Sequence, residues 1–247
     1  GDYGDIADDD IVVITAGSPQ LPGQTRLELI GVNAGIMRDI VKNIMAGGAK
    51  PYLVIVANPV DVLTYVALKE SGLPKNRVFG TGTTLDTSRL KSLIADGLDV
   101  NSREVDVYIL GEHGDSSFST IETARIGDVP LAEYPGFNPE LVENVEQKIR
   151  DRAYRVIDTK KSTYFAIGFV ISKIVSALRQ SSHTIYPVCS LADGEYGLSD
   201  VVLGLPSAIS SEGVRILSGF QFTDREKAAL YHSADIVKQA IASVKSA

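Results

Sequence analysis

Among the three histidines of this chain, His113 has the surroundings in which an imidazole can exchange a proton with a ligand. It stands in Gly111-Glu112-His113-Gly114-Asp115-Ser116, directly after the apolar run from Val105 to Leu110. Small neighbours leave room for a substrate beside the ring, and open α/β sheets gather ligands at the carboxyl ends of their strands. A hydrogen-bonded loop histidine is the plain alternative, and the motif by itself leaves both open. His183 and His232 lie in polar or amphipathic helix-end contexts and are expected at the surface. Asp86 and Arg89 form a second candidate pair in Leu85-Asp86-Thr87-Ser88-Arg89. On one helical turn they share a face, and a surface ion pair worth about 0.2–0.5 kcal/mol would explain them. The chemical reading gives them separate tasks. Asp86 accepts the Nδ1–H of His113, fixing its tautomer and raising its pKa, while the planar fork of Arg89 grips a carboxylate through two parallel hydrogen bonds. Arg26 closes a loop with two prolines and two glycines that starts at Thr15; loop closure would carry it over a substrate, and an ordinary exposed arginine is the alternative. Asn58, in Ala57-Asn58-Pro59-Val60-Asp61, presents its amide to a ligand or caps the next helix. Four strand-end segments thus each offer a polar group suited to a small anionic carbonyl compound.

Elements of a particular kind must position these groups. Ile11–Thr15, Leu53–Ala57 and Val105–Leu110 are continuous, largely β-branched or aliphatic runs, the pattern of strands buried on both faces in parallel sheets. Leu29, Val32, Ile36, Ile40 and Ile44 recur every three or four residues and predict an amphipathic helix ended by Gly47-Gly48. Strand, helix and strand in this order make a βαβ unit. In the second half, Val142, Val145, Ile149, Ala153 and Val156 predict a long amphipathic helix, and residues 164–178 are apolar nearly all round, as for a central helix. Short apolar runs between 183 and 221, broken by clusters such as Ala192-Asp193-Gly194, predict antiparallel sheet. The last helix opens at Thr223-Asp224-Arg225-Glu226, a capping box, with Leu230, Ala234, Val237, Ile241 and Val244 facing inward. The class is therefore α/β: a Rossmann-like parallel sheet, incomplete in this chain, over residues 1–84, followed by a mixed α+β substrate domain over 85–247.

Composition bounds the possibilities. The 247 residues suit one or two domains, and 44% hydrophobic with 22% charged residues excludes a largely disordered chain. No apolar run approaches the roughly 20 residues of a membrane span. With 24 basic and 31 acidic residues the net charge is −7, against the basic surface a nucleic-acid binder needs. Neither a membrane nor a nucleic-acid partner is expected, and no metal. Cys189 is the single cysteine, which fits a reducing, cytoplasmic setting. The opening GDYGDIADDD has no apolar core of the kind a signal peptide needs and no initiator methionine, so Gly1 is expected to be a processed end or the start of a fragment.

Five ordered motifs, TAGSPQLPGQTR (15–26), ANPVD (57–61), GTGTTLDTSRL (80–90), GEHGDSSFS (111–119) and KKSTYFAIG (160–168), resemble the lactate/malate dehydrogenase family, and its lactate branch in particular, across essentially the whole chain. The resemblance implies NAD-dependent, reversible hydride transfer between NADH and pyruvate, giving L-lactate. It implies that His113 is the general acid/base, Asp86 its orienting partner and Arg26 the group that polarises the carbonyl. By the same resemblance Arg89 binds the substrate carboxylate, Asn58 bridges substrate and nicotinamide ribose, and Thr163 and Ile167 line the pocket, Ile167 against the nicotinamide. Thr15, Ala16, Gly17, Val56 and Thr81 are implied cofactor contacts. Gln20 stands where the family's malate enzymes carry Arg. A second substrate carboxylate would be buried there against a neutral amide, which predicts pyruvate over oxaloacetate. A homo-oligomer, tetramer or dimer, is the family expectation.

Two departures from the family pattern matter. The Gly-x-Gly-x-x-Gly turn and the acidic residue that follows it are not found, so a preceding segment is expected to be omitted, cleaved or disordered, and this chain alone to fold poorly. Where many bacterial relatives bind fructose 1,6-bisphosphate through Arg and His, this chain has Lys91 and Asp106; Asp106 would repel a phosphate, so activation by that sugar phosphate is not expected. A dehydrogenase for malate or a longer-chain 2-hydroxy acid, and a non-catalytic fragment serving assembly, are the alternative readings.

Overall fold

The computed structural model describes residues 1–19, 26–151 and 165–245, and the side chains of all of these except 26, 27 and 245. The first half runs β1 (Ile11–Ile14), α1 (Arg26–Met45), β2 (Tyr52–Ile55), α2 (Val60–Ser71), β3 (Val78–Gly80) and α3 (Thr84–Leu98). β1, β2 and β3 pair in parallel, with Ile11 opposite Tyr52 and Leu53 opposite Val78. All three therefore end at one edge. Later in the chain come two-residue strands β4 (Val105–Asp106), β5 (Ile109–Leu110), β6 (Phe118–Ser119), β7 (Arg125–Ile126) and β8 (Val129–Pro130), then α4 (Phe165–Gln180). Two long strands, β9 (Thr184–Ala192) and β10 (Val201–Ser210), lead to β11 (Gly213–Ile216) and α5 (Asp224–Lys245).

The antiparallel strands do not form a separate sheet. β9 joins β3 at Gly80 opposite Cys189, so one six-stranded sheet runs β1-β2-β3-β9-β10-β11. Small residues make the junction possible: a β-carbon on Gly80 would lie 2.5 Å from Thr64 Oγ1, and one on Gly82 (φ 53°) 2.6 Å from the Pro187 carbonyl. Alternation along β2 divides the core. Leu53 and Ile55 pack with α1, α2 and α5, whereas Tyr52 and Val54 pack with α4. A third cluster joins α3 to β4, β5, β7 and the helical residues 145–151 through Leu90, Ile94, Val107, Ile126, Val145 and Ile149.

The capping box holds: Glu226 accepts the Thr223 amide (3.0 Å) and Thr223 Oγ1 accepts the Glu226 amide (3.2 Å). All five inward-facing residues named for the last helix are buried. Other expectations need correction. Val105–Leu110 is not one strand of a parallel sheet. It divides into β4 and β5, both antiparallel, because side chains take over its ladder: Thr120 Oγ1 accepts the Tyr108 amide (2.9 Å) and Thr87 Oγ1 the Ile109 amide (2.8 Å). In α1 the buried stripe is Ile30, Ala34, Met37, Val41 and Ile44, while Val32 is 47% exposed. The face is turned because the small side chain of Ala34 admits close packing and Asn33 buries its amide in hydrogen bonds described below. Nor is α4 central: Val170, Ile174, Ala177 and Leu178 bury one face, and Phe165 and Phe169 are 90% and 64% exposed. Of the helix predicted around 142–156, residues 145–151 are helical; Ala153 and Val156 lie outside the described residues.

Candidate active site

α3 and the loop after β5 supply the polar centre. Thr83 Oγ1 donates to the Ile109 carbonyl (2.5 Å) and Thr87 receives the Ile109 amide, so the first turns of α3 are fastened to β5. The next residues of each segment are thereby brought face to face. His113 Nδ1 lies 2.9 Å from Asp86 Oδ2, and Arg89 Nη1 lies 3.0 Å from the other oxygen of the same carboxylate. The three side chains predicted to act together therefore do meet. Asp86 and Arg89 are mostly buried, whereas the His113 side chain keeps 31% of its surface exposed.

Local structure fixes the imidazole. Gly111 bridges to Gly204 on β10 through two 2.9 Å hydrogen bonds. Its φ of 90°, and the 2.6 Å gap a β-carbon would leave to Ser233 Oγ, admit only glycine. Glu112 turns back, accepting Ser116 Oγ (2.6 Å), and its amide donates to Ser233 Oγ (2.7 Å). Gly114 is packed so closely on the Glu112 carboxyl that a β-carbon would approach it to 2.6 Å. His113 itself donates its amide to Asp61 Oδ2 (2.8 Å) from the first turn of α2.

Electrostatics follow from these contacts. Burial opposes the charged imidazole, but the Asp86 carboxylate on Nδ1, aided by the charge of Asp61, outweighs it and raises the His113 pKa above its ordinary value. Burial likewise pushes Asp86 up, but His113 and Arg89 more than offset it and hold the carboxyl below the usual range. Asp61 has no cation hydrogen-bonded to its oxygens among the described residues, and burial moves it up to about 6 against the hydrogen bonds from Cys189 and His113 and the more distant charge of the His113 ring.

The strand ends lie beside this centre. Thr15, Ala16 and Gly17 follow β1 with exposed side chains and backbone, Val56 and Asn58 follow β2, and Thr81 follows β3. Asn33 ties two of these exits together: its Oδ1 accepts the Ser18 amide (2.7 Å) and its Nδ2 donates to the Asn58 carbonyl (2.9 Å). Asn58 is exposed and does not cap α2, whose N-cap is Pro59 after a cis peptide bond. Ile167 packs against the cluster that also holds Val13 and Leu85. Arg26 is the first residue of α1, and its side chain, like Gln20 and Thr163 entirely, lies outside the described residues. His183 and His232 are exposed, as expected. Sequence reasoning missed Asp61, Cys189 and Asn33. The only local trace of Asp61 was an acid at the second position of a helix, which ordinarily signals a macrodipole partner. Among the described residues, no group of His, Cys, Asp and Glu could hold a metal ion.

A mostly buried carboxylate shared by an imidazole and a guanidinium lies beside the carboxyl ends of parallel strands, where open α/β sheets of dehydrogenase type place their ligands. Residues 1–80 match the lactate/malate dehydrogenase NAD-binding domain and residues 83–247 the alpha/beta C-terminal domain of the same family. This chain belongs to the lactate/malate dehydrogenase family of NAD-dependent oxidoreductases. L-lactate dehydrogenase 2 of Enterococcus faecalis is 43% identical over 249 residues, covering 99% of this chain and 78% of that protein. L-lactate dehydrogenase 2 of Bacillus cereus is 41% identical, with 99% and 79% covered. Among solved structures, a lactate dehydrogenase from a Medee basin deep-sea metagenome library superposes with a TM-score of 0.95 at 40% identity, covering 99% of this chain and 80% of that one. The malate dehydrogenase of Aeropyrum pernix reaches 0.88 at 31% identity, with 97% and 78% covered.

Proposed function

We infer that this chain catalyses the reversible, NAD-dependent interconversion of pyruvate and L-lactate. The observation that carries the reading is the Asp86–His113–Arg89 constellation beside the strand ends, together with the identity of residue 20, Gln20, in the sequence between β1 and α1. The strand-end residues fit the nicotinamide end of the cofactor: Thr15 to Gly17 leave backbone exposed behind small side chains, and Asn58 presents an exposed amide. NADH, when bound, supplies the hydride.

The chain's own residues do the rest. Arg89, already aligned by Asp86, turns its remaining N–H groups to the substrate carboxylate. His113, protonated and held at Nδ1, donates from Nε2 to the ketone oxygen as negative charge builds there, and Arg26 adds its charge to the same oxygen. Both interactions strengthen in the transition state and strengthen further when the loop of residues 15–26 excludes water. In the reverse direction neutral His113 accepts the hydroxyl proton of lactate. Asn58 bridges substrate and nicotinamide ribose, Thr15, Ala16, Gly17, Val56 and Thr81 support the cofactor, Ile167 covers the nicotinamide, and Thr163 bounds the pocket.

Gln20 favours the single carboxylate of pyruvate over the two of oxaloacetate. NADH oxidation by the purified protein with pyruvate, oxaloacetate and 2-oxo acids of increasing length tests this. The expected order places pyruvate first in kcat/KM; a higher value for oxaloacetate overturns the lactate assignment, and no turnover with any of them favours a non-catalytic role.

The finer setting is also a proposal. The protein works in the cytoplasm, in fermentative recycling of glycolytic NADH, as a homo-oligomer, tetramer or dimer. Its single cysteine is buried, and no helix among the described residues is long and apolar enough to cross a membrane. Fructose 1,6-bisphosphate is not an activator. Lys91 is held 4.0 Å from Asp106 and 5.5 Å over the Tyr108 ring, and its burial lowers its pKa, so Lys91 is already engaged by a carboxylate that competes with phosphate for it.

A further inference from the structure

We propose that Asp61 is a positioning residue for proton transfer: its carboxylate fixes the main chain of His113, and the Cys189 thiol fixes the carboxylate. The proposal rests on the lactate dehydrogenase reading and adds to it a group that acts behind the reacting imidazole.

Asp61 is 2% exposed. Its Oδ2 accepts the His113 amide at 2.8 Å and its Oδ1 accepts the Cys189 thiol at 2.8 Å. Cys189 is fully buried on β9 at the residue that joins the parallel and antiparallel halves of the sheet. No salt bridge to Asp61 occurs among the described residues. A buried carboxylate that accepts only an amide and a thiol among the described residues is costly, and an apolar or amide side chain would fill the space without that penalty. What the carboxylate gains is a direct hold on the residue whose ring exchanges the proton. Asp61 is three residues beyond Asn58, so the start of α2 that carries Asp61 directly follows the strand exit proposed to face substrate and cofactor. Imidazole and amide are thereby referred to one rigid helix start.

The charge has a second effect. The groups facing Asp61 are His113 and Glu112 from the loop after β5 and Cys189 from β9; those facing His113 are Asp86 and Arg89 from α3. Among these, Asp61 joins Asp86 in favouring the imidazolium, against burial and Arg89. Removing the Asp61 charge weakens that support, so the alkaline loss of pyruvate turnover, where His113 deprotonates, sets in at lower pH.

Asp61→Asn keeps an oxygen for the His113 amide and removes the charge. The expected result is a His113 imidazole that titrates about half a unit to one unit lower by NMR, with the rise in pyruvate KM displaced by the same amount. A residue that only supports packing would lower the melting temperature and leave both midpoints in place. Cys189→Ser retains a donor to Asp61 and should keep the wild-type His113 midpoint, whereas Cys189→Ala removes it, leaves the Asp61 anion less stable and should move the His113 midpoint downward. If Asp61→Asn folds with an unchanged His113 midpoint, the proposal is overturned. If Asp61→Asn does not fold, Cys189→Ala and Cys189→Ser profiles that coincide overturn it. The NMR titration needs no substrate, so failure of the wild-type protein to reduce pyruvate would count against the activity and leave this test intact.

Discussion

The Asp86 carboxylate serves two cations at once, His113 through Oδ2 and Arg89 through Oδ1, and this sharing decides what each substitution should do. Asp86→Asn keeps the shape and removes the charge that raises the His113 pKa. The upward break in pyruvate KM should therefore move to lower pH, and kcat should fall by roughly 10²–10⁴, as for loss of an oriented acid. A pH–rate series on both proteins checks the sign: the imidazolium persists to higher pH only while the carboxylate is charged. Arg89→Lys retains a positive charge and loses the planar fork. It should raise pyruvate KM about ten- to a hundred-fold, the equivalent of about 1.5–3 kcal/mol for one charged hydrogen bond, with a smaller change in kcat. At this scale the sequence was informative where a motif named a residue type with a task. His113, Asp86 and Arg89 were legible because an acid, a base and a guanidinium near a strand end have few common purposes. Asp61 and Cys189 were not, because their meeting joins residues 128 positions apart and depends on the close approach of β3 and β9.

Elements were legible in proportion to how far local pattern controlled them. The capping box at Thr223 and the inward face of α5 follow from spacing alone. The strand expected over Val105–Leu110 did not, since Thr87 and Thr120, distant or reversed in the chain, capture its amides and divide it. In α1 the apolar count pointed to Val32, but Asn33 needed burial to join the exits of β1 and β2, and that polar requirement turned the helix. In α4 composition concealed the direction of its apolar faces. The loop bearing His113 gives the sharpest prediction for an element. Gly111→Ala places a β-carbon against Ser233 at a positive φ, and should destabilise the fold by about 2–3 kcal/mol. Denaturant melts should show the loss, and Ser233→Gly in the same background should recover the steric part of it.

At the scale of the molecule, the exposed Phe165 and Phe169 stand one turn apart on α4, and Val32 is exposed on α1. Apolar surface of this size on a helix is consistent with contact between copies. Phe165→Glu with Phe169→Glu should shift the assembly to smaller species in sedimentation, leaving the His113 titration unchanged; an unaltered sedimentation profile would remove these residues from the interface. Adding fructose 1,6-bisphosphate should leave pyruvate KM unchanged, because Lys91 is already paired. The parallel half of the sheet was readable from its uninterrupted apolar runs, but its continuation through Gly80 and Cys189 into antiparallel strands carries no local signal.

The trio proposed to carry the chemistry is built on α3 and the turn beyond β5, while the residue proposed to choose the substrate, Gln20, belongs to the segment between β1 and α1. Chemistry and choice are thus separately inherited properties of one fold. Selection can rewrite the menu of oxo acids by single exchanges near Gln20 without retuning the acid that serves them all, so new specificities should arise in this scaffold faster than new reactions.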